Sequence, residues 1–172
     1  MHVYPNPILD RKIRFALVGC GRIAKNHFDS IKQYADQAEL VGICDIDSNA
    51  LNEAVAYTGA KPYKSLDSLL ADTNADVVIL TTPSGLHAEQ TVQIAGSGLH
   101  VMTEKPMATR WHDGLNMVKA CDDAGVRLFV VKQNRRNATL QLLKKAVEKK
   151  RFGRIYMVNI NVFWTRPQSY YD

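Results

Sequence analysis

The stretch I-R-F-A-L-V-G-C-G-R-I-A, residues 13–24, decides the fold. Residues 15–18 are a short apolar run, the pattern of a strand buried on both faces. Gly19-Cys20-Gly21-Arg22-Ile23-Ala24 follows at once as a G-x-G-x-x-A turn. Ile23, His27 and Ile31 then recur at four-residue steps, as on one face of a helix. Strand, glycine turn and helix in that order form the dinucleotide-binding fingerprint. Gly19 permits the tight turn, Gly21 has no side chain to obstruct a pyrophosphate, and Ala24 lets the helix pack close to the strand. The helix start at Arg22 and Ile23 offers N–H groups and a positive dipole end to phosphates.

Similar short runs follow at residues 40–44, 77–80, 100–103 and 128–131. Helical spacing lies between them, over 49–58 behind an Asp47/Ser48 cap, over 87–95, and over 111–124 closed by Gly125. Alternating strands and helices predict a Rossmann-type doubly wound parallel sheet. A sixth helix is expected from about Asn137 to Lys150, stopped by Gly153. Residues 154–164 then alternate like a strand, with Tyr156, Val158, Ile160, Val162 and Trp164 on one apolar side. With only eight residues after it, that strand is expected to open a truncated second α/β domain. The domains are therefore read as 1–132, nucleotide-binding, and 133–172, the start of a substrate and oligomerisation domain.

The second run ends in Asp45, 26 residues beyond Gly19. Its carboxylate can accept hydrogen bonds from the adenosine ribose and would repel a 2′-phosphate, which favours NAD over NADP. Asp47 competes for that role, with a helix cap as its other reading. A methyltransferase would also use a glycine loop and an acidic strand tip, so these features alone leave the cofactor open. Thr81-Thr82-Pro83-Ser84 lies at a strand's carboxyl end, where open α/β sheets bind ligands. Thr82 and Pro83 are therefore expected in the cofactor site. His87, opening the next helix, is expected either to contact the cofactor or to stand half exposed at the helix start.

Composition narrows the remaining classes. The chain has 172 residues, 46% of them hydrophobic, and no run of about 18 apolar residues to span a membrane. No apolar leader precedes Arg14, so a cytoplasmic location is expected. Cys20, Cys44 and Cys121 lack metal-site spacing and read as reduced thiols, with no metal. The net charge of +5 is uneven: residues 130–172 hold ten Lys/Arg and two Asp/Glu, leaving −3 for the rest. Such a run suits an anionic small molecule or a solvated helix face. With no aromatic platform beside the lysines, nucleic acid is not expected.

Glu104-Lys105-Pro106 closes the next strand. With GCGRIA, TTPSGLHA and Asp45, it makes the chain, from Ile13 to Asp172, resemble the Gfo/Idh/MocA oxidoreductases. The resemblance implies a Rossmann domain followed by a domain with a large, mostly antiparallel sheet, and NAD as cofactor. It places Lys105 beside the nicotinamide and the reacting carbinol, where an ammonium stabilises a developing alkoxide and relays its proton. Glu104 would orient that lysine, and Pro106 would fix the turn. Residues 131–172 further resemble bacterial members that oxidise the 3-hydroxyl of UDP-N-acetylglucosaminuronic acid for surface polysaccharides such as lipopolysaccharide. That implies a UDP-sugar acid as partner and a homo-oligomer in the full-length protein. It also implies Gln133 at the cofactor and Asn134, Arg135, Trp164 and Arg166 at the substrate. One departure stands out. The family's second motif, an aspartate and a histidine four residues apart, has no counterpart, since no histidine follows His112. These 172 residues alone are therefore expected to bind NAD better than they catalyse. A non-catalytic NAD-binding module or sensor is the other class these features allow.

Overall fold

The computed structural model describes residues 7–168. The chain divides into two units, Met1–Lys132 and Gln133–Asp172.

The first unit holds six parallel strands: β1 (Ile13–Val18), β2 (Ala38–Cys44), β3 (Lys61–Tyr63), β4 (Val77–Leu80), β5 (His100–Thr103) and β6 (Leu128–Val130). Their order is β3-β2-β1-β4-β5-β6, and every neighbouring pair is parallel. The helices are α1 (Ala24–Gln33), α2 (Ser48–Thr58), α3 (Leu66–Asp72), α4 (His87–Gly96) and α5 (Trp111–Asp123). From β1 the chain winds first through β2 to β3, then returns to β4 on β1's other side. The switch point therefore lies between β1 and β4, where open sheets part to form a ligand crevice.

Strand pleating sorts side chains between two cores. Leu17, Ile43 and Ile79 pack with Ala24 and Phe28 of α1 and Leu51 and Ala54 of α2. Ala16, Val18, Val78, Leu80 and Val101 pack on the other face with Leu69 of α3, Ile94 of α4 and Cys121 of α5. Val77 to Leu80 are all buried, which explains why that strand reads as a continuous apolar run.

β3 and α3 are additions to the elements read from sequence. β3 is the three-residue edge strand KPY, whose proline sits at an edge, where the missing N–H costs little. α3 is seven residues long, closed by a reciprocal Ser65–Ser68 capping box. Both are too short for periodicity to register. The caps read from sequence hold: Asp47 accepts from the Asn49 amide at 2.8 Å, and Gly125, at φ 66°, follows α5.

In the second unit, a turn over Gln133–Arg136 leads into α6 (Ala138–Glu148), with Asn137 as its N-cap. Residues 154–164 form no strand, which corrects the expected opening strand of a second domain. A strand is held by ladder bonds to a neighbour, and among the described residues none pairs with this segment. Its apolar side chains stand open, Tyr156 at 92% and Ile160 at 79% exposure. No helix among the described residues is long and apolar enough to cross a membrane. The leader reading extends over residues 1–6, which lie outside the described residues.

Candidate functional site

The β1–α1 turn is built against the end of β4. Gly19 has φ 97°, and a Cβ there would lie 2.7 Å from the Thr82 nitrogen and 2.8 Å from the Thr81 carbonyl carbon. Conformation and space both exclude a side chain. Thr81 locks the contact: its amide donates to Val18 O at 2.9 Å, and its hydroxyl reaches Val18 O and Gly19 O. Gly21 is different, since a Cβ there would meet nothing within 4 Å. Its missing side chain leaves open space rather than relieving a clash. α1 begins beside it with no side-chain cap, so its first turn is offered to whatever lies in front.

Asp45 closes the opposite side. One carboxylate oxygen accepts from the Cys20 amide at 2.6 Å and the other from the Asp47 amide at 2.9 Å, so the group is aimed by backbone. The rival Asp47 is spent on capping α2. Burial, with the nearby Asp45 charge, pushes the Cys20 thiol up to about 12. It therefore stays neutral at physiological pH.

These residues line a cavity of about 490 Å³ at the switch point. Gly19, Gly21, Arg22, Ile23, Asp45, Thr82 and Pro83, all expected from sequence, surround it. Ile46, Leu66, Leu86 and Gln90 complete its wall and were not foreseen. An isoleucine immediately beyond Asp45 is the signal in the sequence that could have marked an apolar rim, and in the structure Ile46 stands 89% exposed. An open cradle at Gly21, an uncapped helix start and an oriented carboxylate are the donor and acceptor set a dinucleotide needs.

The Glu104–Pro106 segment follows β5, next to the end of β4. Glu104 is nearly buried. One of its oxygens lies 3.0 Å from His27 Nε2, and the other accepts the Lys105 amide at 3.1 Å. Lys105 itself is exposed, and its bond to Pro106 is cis. His87 is 1% exposed, not half exposed at a helix start. Its Nδ1 lies 2.9 Å from Pro106 O and its Nε2 2.9 Å from Thr82 O. Each ring nitrogen thus faces a carbonyl of one of the two loops, and the ring N–H donates to one of them, so the imidazole packs between the loops. His27 escaped the sequence reading because it sits in an apolar stripe of α1. Its only signal was a polar group at a position facing the core.

In the second unit, Gln133 begins the turn before α6. Asn134 and Arg135 border a hollow of about 470 Å³ with Leu140, Gln141 and Lys144. Arg166 stacks on the Trp164 ring at 4.8 Å.

Comparison with known proteins agrees with this geometry. Residues 13–132 match the Gfo/Idh/MocA description, an oxidoreductase family with an NAD-binding Rossmann fold. The WlbA dehydrogenase of Chromobacterium violaceum, solved with NADH and UDP-GlcNAcA, is 68% identical with a TM-score of 0.95. The match covers 99% of this chain and 49% of that one. The Bordetella pertussis WlbA dehydrogenase, solved with the same two ligands, is also 68% identical, with a TM-score of 0.93 over 96% of this chain and 49% of that one. A 4-carboxy-2-hydroxymuconate-6-semialdehyde dehydrogenase from a Sphingobium species is 32% identical over 78% of this chain and 43% of its own length. The chain thus spans about half the length of these relatives. By fold, by the glycine turn and by these matches, the chain belongs to the Gfo/Idh/MocA family of NAD-binding oxidoreductases.

Proposed function

We propose that this chain is the NAD-holding half of a dehydrogenase that oxidises the 3-hydroxyl of UDP-N-acetylglucosaminuronic acid in surface-polysaccharide synthesis. The observation that carries this reading is 68% identity, over 99% of the chain, to an enzyme crystallised with NADH and UDP-GlcNAcA. The cavity of the first unit supports its NAD-holding part independently of that likeness.

In this reading the pyrophosphate lies over Gly21 with Arg22 and Ile23, and Asp45 holds the adenosine ribose. Thr82 and Pro83 face the middle of the dinucleotide. His87 serves by packing between the Thr82 and Pro106 carbonyls. Bound NAD would supply the hydride acceptor for oxidation of the sugar carbinol to a ketone. The Lys105 ammonium would stabilise the oxygen by donating a hydrogen bond to it, while the departing proton goes to a base supplied from outside residues 1–172. Glu104 fixes the lysine's backbone.

Residues 133–172 begin the substrate and oligomerisation domain. Gln133 faces the cofactor, while Asn134, Arg135, Trp164 and Arg166 meet a substrate that carries a diphosphate and a carboxylate. The excess of basic residues after residue 130 suits that ligand. The full-length protein works as a homo-oligomer in the cytoplasm.

The test is a fluorescence titration with NADH, followed by calorimetry with UDP-N-acetylglucosaminuronic acid on the NADH-loaded full-length protein. Saturable NADH binding and a second, saturable heat with the sugar nucleotide are expected. Tight NADH binding with no response to any UDP-sugar acid would favour a sensor and overturn the dehydrogenase reading.

A further inference from the structure

The Glu104–Pro106 segment is suspended from two sides. Pro106 O packs towards the β4–α4 turn across the His87 ring, and the Glu104 carboxylate is tied to α1 through His27. His27 and Glu104 are both shielded, with side-chain exposures of 13% and 10%. His27 lies three residues into the helix whose N-terminus faces the cavity, roughly 4.5 Å along its axis from Ala24. The same helix therefore presents amides to the pyrophosphate and grips the segment that carries Lys105.

The direction of the dinucleotide gives this link its meaning. Asp45 sets the adenosine half over β2, on one side of the β1–α1 turn. The other half must run the opposite way, across the ends of β4 and β5, where Thr82 and Lys105 stand. We infer that His27 is a positioning residue for the nicotinamide half. By holding Glu104, which in turn accepts the Lys105 amide, it keeps the Lys105 backbone in register with the phosphate-binding end of α1. This inference rests on the dinucleotide reading above and adds to it a residue that touches neither cofactor nor substrate.

A purely structural His27–Glu104 pair would behave differently. It would support the whole cavity, and its loss would weaken every ligand bound there alike. ADP-ribose separates the two cases, because it keeps the adenosine, pyrophosphate and second ribose but lacks nicotinamide. Affinities of NADH and ADP-ribose are measured by calorimetry for the 172-residue chain and for His27→Leu and His27→Gln. In His27→Leu, NADH affinity should fall about tenfold, the scale of one hydrogen bond to a charged group, and ADP-ribose affinity by less than about twofold. In His27→Gln, whose amide can still donate to Glu104, most of the NADH affinity should return. Equal losses for the two ligands, or no loss for either, would overturn the inference. Should His27→Leu fail to fold, Glu104→Leu gives the same readout, because its side chain can accept from neither His27 nor the Lys105 N–H. A wild-type chain that bound neither ligand would instead sink the dinucleotide reading itself.

Discussion

Gly19 and Gly21 stand two residues apart and are glycines for different reasons. Gly19 is demanded by the fold, because a Cβ would press on the Thr82 nitrogen, just past β4, at 2.7 Å and φ is 97°. Gly19→Ala should lower stability by about 2–4 kcal/mol in urea unfolding. Gly21 is under no such constraint from the fold, because a Cβ there meets only open space, and under the proposed reading it is the dinucleotide that needs this space. Gly21→Ala should leave the unfolding midpoint unchanged yet weaken NADH by about tenfold or more in a fluorescence titration. An equal loss of stability in both variants would contradict this division of labour. Asp45→Ala should weaken NADH by a similar factor, about tenfold, through loss of the ribose acceptor. Undiminished affinity in that variant would refute the ribose assignment.

At the level of elements, β4 and α4 offer two checks. Asp76, just before β4, takes a bidentate grip from Arg11 at 2.6 and 2.7 Å and the Arg14 amide at 2.8 Å. The Arg11 guanidinium, helped by the Arg14 amide, holds the Asp76 carboxyl down at about 2, despite partial burial. The unfolded chain would take up that proton near pH 4. The stabilisation is therefore complete above pH ~4 and is lost as pH falls from ~4 towards ~2. Allowing for the exposure of Arg11, it amounts to about 1–2 kcal/mol. Asp76→Asn should be less stable than wild type at neutral pH, and the gap should close on acidification. A gap unchanged at the acid end would rule out ionisation as its source. In α4, the Thr91 hydroxyl is buried without a hydrogen-bond partner. Thr91→Val keeps the shape and removes that cost, so it should be neutral or up to about 1–2 kcal/mol stabilising in thermal melts.

For the molecule as a whole, ligand and fold are linked. A dinucleotide that binds only the folded first unit stabilises it by about 2.7 kcal/mol at a hundredfold excess over Kd, and its melting temperature therefore climbs with the logarithm of ligand concentration. NADH should do so for wild type and much less for Gly21→Ala. Turnover of UDP-N-acetylglucosaminuronic acid by residues 1–172 alone should be close to zero, because the aspartate–histidine motif expected for proton abstraction is absent from them. Brisk activity would place the base within these residues after all.

Short apolar runs, the glycine turn after the first of them and the acidic tip of the second were legible because each is local chemistry. Buried parallel strands need continuous apolar side chains, tight turns need glycine, and riboses need an acceptor. From these the alternation of strands and helices and the glycine turn after the first strand could be read directly, whereas Lys105 was singled out only through the resemblance to a family. The tertiary structure decided what depends on distant partners. β3 exists only because β2 offers an edge, and residues 154–164 form no ladder because none is offered. His87 became a buried spacer because two carbonyls, one from each neighbouring loop, converge on it. His27 found its carboxylate 77 positions away, across a helix and a strand end that only folding brings together. Periodicity reports which face of a segment is apolar; it carries no record of which polar atom, far along the chain, will stand opposite.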